Sequence, residues 1–120
     1  MKYLFVEYPK CSTCQKAKKY LEEKEINYED RHIVENTPTV EELQEWINRS
    51  NVPIKKLFNT SGLVYKEMNL KEKLQTLTQE EQLVLLAGNG MLIKRPLLVG
   101  EDNLLIGFKI EEWENVLKKR

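Results

Sequence analysis

The sequence predicts an α/β domain built on a mixed sheet of four strands. Three observations lead there: a strand, helix, strand unit in the first third, an all-helical middle, and a hairpin with an amphipathic helix at the end. At 120 residues the chain is long enough for one core and too short for two ordinary ones. Residues 1–120 are therefore expected to form one domain, with a helical insertion at about 39–88 between the second and third strands.

Residues Tyr3 to Val6 are apolar and partly β-branched, and Pro9 closes them off, which reads as a buried strand and a turn. From about Ser12 to Lys24, Cys14, Ala17 and Leu21 recur at helical spacing, with Lys16, Lys18, Lys19, Glu22 and Glu23 on the other faces. That is the pattern of a helix lying on a sheet. Ile26 to Ile33 reads as the second strand, parallel to the first through a right-handed crossover. Thr39 and Glu42 form a capping-box pattern ahead of the stripe Val40, Leu43 and Ile47, so another helix runs to about Arg49. Pro53 prevents its continuation. "IKKLFNTSG" reads as one or two helical turns stopped at Gly62, and residues 70–77 and 79–87 as two short helices. Asn89 and Gly90 mark a turn, Leu97 to Val99 a strand, "GEDN" a tight connection and Leu104 to Phe108 the hairpin partner. Ile110, Trp113, Val116 and Leu117 form the inner face of a closing helix whose last residues, Lys118, Lys119 and Arg120, suit the negative end of a helix.

Lys plus Arg and Asp plus Glu balance at 19 each, so no net field draws the chain to nucleic acid or to an anionic membrane. The start of the chain meets Glu7 too soon to hold the apolar region of a signal peptide, and no stretch approaches membrane-spanning length. A cytoplasmic location is expected. In that reducing setting a permanent disulfide staple is disfavoured, which shifts weight to reversible chemistry or a metal.

Both cysteines, Cys11 and Cys14, lie in "YPKCSTCQKAKKYL", at the junction of the first strand's loop and the first helix. Residues three apart there sit on neighbouring turns and can close a small disulfide ring. Just ahead of the helix, Cys11 faces unpaired N–H groups and the positive end of the dipole, with Lys10 beside it, all favouring thiolate. This makes Cys11 the candidate nucleophile. Cys14, on the apolar stripe, is the candidate resolving thiol. A structural zinc site would want four ligands, and beyond the pair the chain offers only His32. A core-filler role suits Cys14 better than Cys11.

"KRPLLV" is the second informative stretch: Pro96 opens a strand, where X-Pro is the one inexpensive place for a cis peptide, and Arg95 beside it can hold an anion in bidentate fashion. His32 reads as a solvated or hydrogen-bonded histidine, Trp46 and Trp113 as core or half-buried residues, and Lys16, Lys18 and Lys19 as a solvated face.

Taken together, "YPKCSTCQKAKKYL", "LFNTSG", "LLAGNGMLIKRPLLV" and "LIGFKIEEW" resemble the arsenate reductase (ArsC) family, which also contains the Spx transcriptional regulators. The resemblance spans nearly the whole chain and lies closest to the C-x-x-C arsenate-reductase-like proteins. It implies a thioredoxin-like fold, a mixed four-stranded sheet flanked by helices with the helical insertion described above, and a cis proline in "RP" beside the cysteine loop. It further implies that Cys11 and Arg95 match the family's catalytic cysteine and the arginine of its "RP" motif. Two further family arginines fall near Asn59 and Phe108, which removes charge-assisted hydrogen bonds worth roughly 1.5–3 kcal/mol each from an oxyanion cradle.

By this resemblance the function is thiol-disulfide oxidoreduction, including arsenate reduction, with Cys11, Cys14 and Arg95 catalytic and Lys10, Ser12, Thr13, Asn59 and Pro96 contacting substrate. No bound cofactor or metal is implied; glutathione, glutaredoxin or thioredoxin would supply electrons. The competing expectation is an Spx-like redox sensor that grips the RNA polymerase α subunit.

Overall fold

The computed structural model describes residues 2–118. Strands β1 (Tyr3–Glu7), β2 (Tyr28–His32), β3 (Leu97–Val99) and β4 (Leu104–Ile106) form one sheet in the order β2-β1-β3-β4. β1 and β2 run parallel, Tyr3 opposite Tyr28 and Glu7 opposite His32, while β3 is antiparallel to both β1 and β4. The mixed sheet is thus the expected one. Helices α1 (Ser12–Glu23) and α2 (Val40–Ser50) follow β1 and β2; α3 (Leu63–Glu67), α4 (Leu70–Lys73) and α5 (Gln79–Gly88) complete the block before β3, and α6 (Ile110–Lys118) closes the described chain.

Alternation along the strands sorts two cores onto the two faces of the sheet. Tyr3, Phe5, Leu98 and Leu105 pack with Ala17 and Leu21 of α1 and Trp113 and Leu117 of α6. Val6, Leu97, Val99 and Leu104 pack instead with Leu43, Trp46 and Ile47 of α2 and Leu83 and Leu86 of α5. The Thr39 capping box is formed: its hydroxyl accepts from the Glu42 N–H at 3.1 Å, and the Glu42 carboxylate accepts from the Thr39 N–H at 3.0 Å. Both tryptophans are buried, and the Trp113 indole N–H donates to the Gly107 carbonyl at 3.1 Å.

Several elements differ from the sequence reading, among them β4, which ends at Ile106 and not at Phe108. β2 is shorter than Ile26–Ile33, because Glu25 at φ 56° turns the chain and only five residues pair with β1. Gly62 does not stop a helix but caps the start of α3. The preceding 3-10 turn, Ile54–Leu57, ends because Phe58 pairs across space with Ile93, a partner no local pattern reveals. The helix expected over residues 70–77 stops at Lys73, whose carbonyl is taken by the Thr76 hydroxyl at 3.1 Å. Ile110, placed on the inner face of the last helix, is half exposed at its first position. Lys119 and Arg120 lie outside the described residues.

Candidate active site

The loop after β1 carries Cys11 to the N-cap of α1. Its N–H donates to the Tyr8 carbonyl at 2.9 Å, and its own carbonyl accepts the first helical bond, from Gln15, at 3.0 Å. The Gln15 side chain donates to the Pro9 carbonyl at 2.9 Å and ties loop to helix. Cys11 is half-buried and Cys14 fully buried, and both are free thiols.

Their acidities diverge. Burial alone raises the Cys11 pKa, but the N–H and thiol of Cys14, the N–H of Thr13 and the charge of Arg95 outweigh it and hold Cys11 below the usual thiol range. These N–H groups belong to the first turn of α1, whose unpaired donors favour an anionic sulfur, although the Cys11 side chain makes no regular capping hydrogen bond. Cys14 is pushed up to about 12, chiefly by burial, with Cys11 and Glu7 adding to it and the Tyr8 backbone opposing.

Arg95 lies just ahead of β3, whose first residue Leu97 pairs with Val6 near the end of β1, and is joined to Pro96 by a cis peptide bond. One of its Nη atoms donates weakly to the Met91 and Ile93 carbonyls, at 3.3 and 3.4 Å, and its guanidinium lies 5.4 Å from the centre of the Tyr8 ring. Its Nε is buried and, among the described residues, has no hydrogen-bond partner. Tyr8 in turn meets His32 edge to face, and the His32 Nδ1 accepts from the N–H groups of Val34 and Glu35 at 3.1 Å each. His32 is therefore a hydrogen-bonded structural residue, as its sequence context suggested.

Cys11, Thr13, Asn59, Arg95 and Phe108 line one cavity of about 360 Å³ together with Lys94 and Lys109. Of the residues singled out from sequence, Lys10 and Ser12 are exposed and outside this lining, Cys14 lies buried in the helix, and Pro96 is buried at the start of β3. Where the sequence suggested a cradle reduced to one arginine, two lysines stand at the same cavity. A lysine offers a point charge rather than a bidentate fork, so the chemistry differs although the sign is kept. Among the described residues no group of three His, Cys, Asp or Glu could hold a metal, and no helix is long and apolar enough to cross a membrane.

Glu7 is the residue that the sequence reading missed. It ends β1 with 4 % exposure; burial, with a shared hydrogen bond to Asp30, pushes its carboxyl up to about 7. For Asp30, burial is outweighed by Glu7 and by Lys18, which contacts it at 2.9 Å, and its pKa is lowered. A glutamate closing an otherwise apolar strand, "YLFVE", was the available signal.

Comparison with known proteins agrees with this architecture. The ArsC family model matches residues 6–116. The chain is 52 % identical to the uncharacterized protein YusI of Bacillus subtilis strain 168, covering 95 % of this chain and 97 % of that protein. It is 33 % identical to the regulatory protein MgsR of the same organism, covering 97 % of this chain and 90 % of the other. A crystal structure of an ArsC family related protein from Bacteroides fragilis superposes with a TM-score of 0.91 at 61 % identity, covering 97 % of this chain and 98 % of that one. A family match over nearly the full length, joined to the sheet order and the cysteine-bearing helix start, settles the descent: this chain belongs to the ArsC family.

Proposed function

We propose that the protein is a thiol-disulfide oxidoreductase in which Cys11 attacks and Cys14 resolves. The observation that carries this reading is the opposed acidity of two thiols three residues apart, Cys11 lowered and reachable from a cavity, Cys14 buried and raised to about 12. The Cys11 thiolate attacks one sulfur of a substrate disulfide; that S–S bond breaks, the distal sulfur leaves as thiolate and takes up a proton. The Cys14 thiol then gives up its proton and attacks the Cys11 sulfur. The mixed disulfide breaks, the second substrate thiol departs, and the Cys11–Cys14 ring holds the two electrons' worth of oxidation. Thr13 and Asn59 line the cavity with the reacting sulfur, Arg95 supports its negative charge, and Pro96, outside the lining, fixes the backbone that carries Arg95.

A donor thiol, from glutathione, glutaredoxin or thioredoxin, returns the pair to dithiol, which suits a reducing cytoplasm; no metal or organic cofactor enters the cycle. Arsenate would use the same nucleophile, with the single arginine as its bidentate partner. Thiol trapping with intact-mass readout tests the scheme: with a disulfide present the wild type loses two hydrogens, Cys14→Ser keeps an adduct on Cys11, and Cys11→Ser carries none. An adduct forming first on Cys14 would overturn it.

The likeness to the regulatory protein MgsR favours a second reading, in which the same ring is a sensor and its closure alters an interface with the RNA polymerase α subunit. Binding of the purified α subunit that changes with cysteine oxidation, in the absence of turnover, would select it over catalysis.

A further inference from the structure

A second cavity, of about 410 Å³, adjoins the one at Cys11; it shares Lys94, Ile106 and Lys109 with it but neither Cys11 nor Arg95. Its cations come from three separate stretches. Lys55 and Lys56 lie on the 3-10 turn, Lys94 ahead of β3 and Lys109 ahead of α6. Backbone pairing gathers them: the Lys94 N–H donates to the Leu57 carbonyl at 2.7 Å and the Asn59 N–H to the Leu92 carbonyl at 2.7 Å, which fastens the turn to the segment before β3. Gly107 leaves room for the Lys94 stem, since a Cβ there would stand 3.2 Å from the Lys94 Cε. Val52, Phe58, Leu104 and Ile106 give the cavity an apolar lining, and Thr60 adds a hydroxyl. An ordinary solvated face is built differently: on α1, Lys18 pairs with Asp30 at 2.9 Å, and Lys16 and Lys19 are followed by Glu22 and Glu23. Here four exposed lysines meet one carboxylate, Glu112, and among the described residues none of the four is in an ion pair. Like charges gathered in one concavity repel each other and raise the local potential, which an anion relieves.

We infer that this second cavity binds a phosphorylated small molecule the size of a nucleoside diphosphate, its phosphoryl groups among Lys55, Lys56, Lys94 and Lys109 and its ring against Val52 and Ile106. A phosphoryl group concentrates up to about two negative charges on three oxygens, and lysine meets such a group as a point charge. A carboxylate brings one charge, so a carboxylic acid matches this cluster less well. The volume lies in the range of small-ligand sites and is too small for a folded domain. The apolar lining separates the proposed ligand from a bare oxyanion, which would leave Val52 and Ile106 uncovered. Binding here is distinct from the thiol chemistry and requires no reaction at Cys11.

The test is a titration of ADP into the reduced wild-type protein, followed by NMR with no disulfide present. Backbone shifts are expected at Lys55, Lys56, Thr60 and Lys94, with affinity falling about tenfold in a Lys55→Gln/Lys56→Gln variant or at about 0.5 M NaCl, as ionic contacts near the surface do. Lys16→Gln/Lys19→Gln, which removes the same charge from the solvated face of α1, is expected to bind as the wild type does. Adenosine lacks the phosphoryl groups, pyrophosphate lacks the ring, and citrate offers carboxylates instead; each is expected to bind about tenfold more weakly than ADP. Absence of ADP binding, shifts confined to other residues, or equal losses in the two double variants overturns the inference. Citrate or pyrophosphate binding as tightly as ADP also overturns it, since the cavity would then select charge alone.

Discussion

At the residue scale, the site depends on how far local charge moves two thiols and one carboxyl. Arg95→Gln removes the cation that lowers Cys11, so alkylation of Cys11 by iodoacetamide at pH 7 is expected to slow several-fold and its pH profile to move upward. Trapping rates measured against pH check this; an unchanged profile would assign the lowered acidity to the helix end alone. Glu7 is held in its neutral form by burial and by Asp30, with a pKa near 7 against an ordinary 4.5. A carboxyl raised on folding contributes stability below its unfolded value and loses it as pH climbs through the folded value. The wild type is therefore expected to lose roughly 1–3 kcal/mol between about pH 4.5 and 7, and Glu7→Gln to flatten that window in urea titrations. Because ionised Glu7 also raises Cys14, the same variant is expected to speed ring closure above pH 7, read by the decay of the Cys11 adduct. Sequence inspection singled out Cys11, Cys14 and Arg95 as candidates from their types and neighbours. It missed Glu7 because the burial that gives a glutamate its altered acidity depends on what packs over the strand end.

At the element scale, the start of α2 is the most specified local feature. Thr39 and Glu42 close the box, and Glu42 also holds Arg31 of β2 in a bidentate pair, both contacts at 2.8 Å. The Arg31 hydrogen bonds are the main reason the Glu42 carboxyl falls to about 2, with the Thr39 N–H helping and burial opposing. A lowered carboxyl contributes stability above its unfolded pKa and loses it as pH falls through the folded one, so this contribution fades between about 4.5 and 2. Glu42 is partly exposed, and solvent screening discounts the pair; Glu42→Gln is expected to cost about 1–2 kcal/mol at pH 7 and little at pH 2.5. Acid titrations of wild type and variant that run parallel would contradict this. The capping box was readable from sequence because its two ends, Thr39 and Glu42, lie three positions apart. The link to Arg31 was not, since it joins two elements through space.

At the scale of the whole molecule, the helical block must dock on one face of the sheet while α1 and α6 fill the other. Gly90 stands where the end of α5 meets the end of β2, and a Cβ there would overlap the backbone carbonyl of Ile33. Gly90→Ala is expected to destabilise the protein by about 1–3 kcal/mol, seen as a lower urea midpoint at unchanged slope. A midpoint equal to wild type would mean the block shifts freely on the sheet. Periodicity and local chemistry alone determined much of this protein: the strand order in the chain, the faces of α1 and α2, the two tryptophans of the core, and the cysteine pair at a helix start. Those features are encoded within a few residues of one another, where spacing and propensity act directly. Only the tertiary structure decided that Phe58 pairs with Ile93, that Lys94 and Lys109 join Cys11 at one cavity while Lys55 and Lys56 join them at the next, and that Glu7 is buried. Burial and charge density are properties of what the folded chain brings together, so they come into being with the packing.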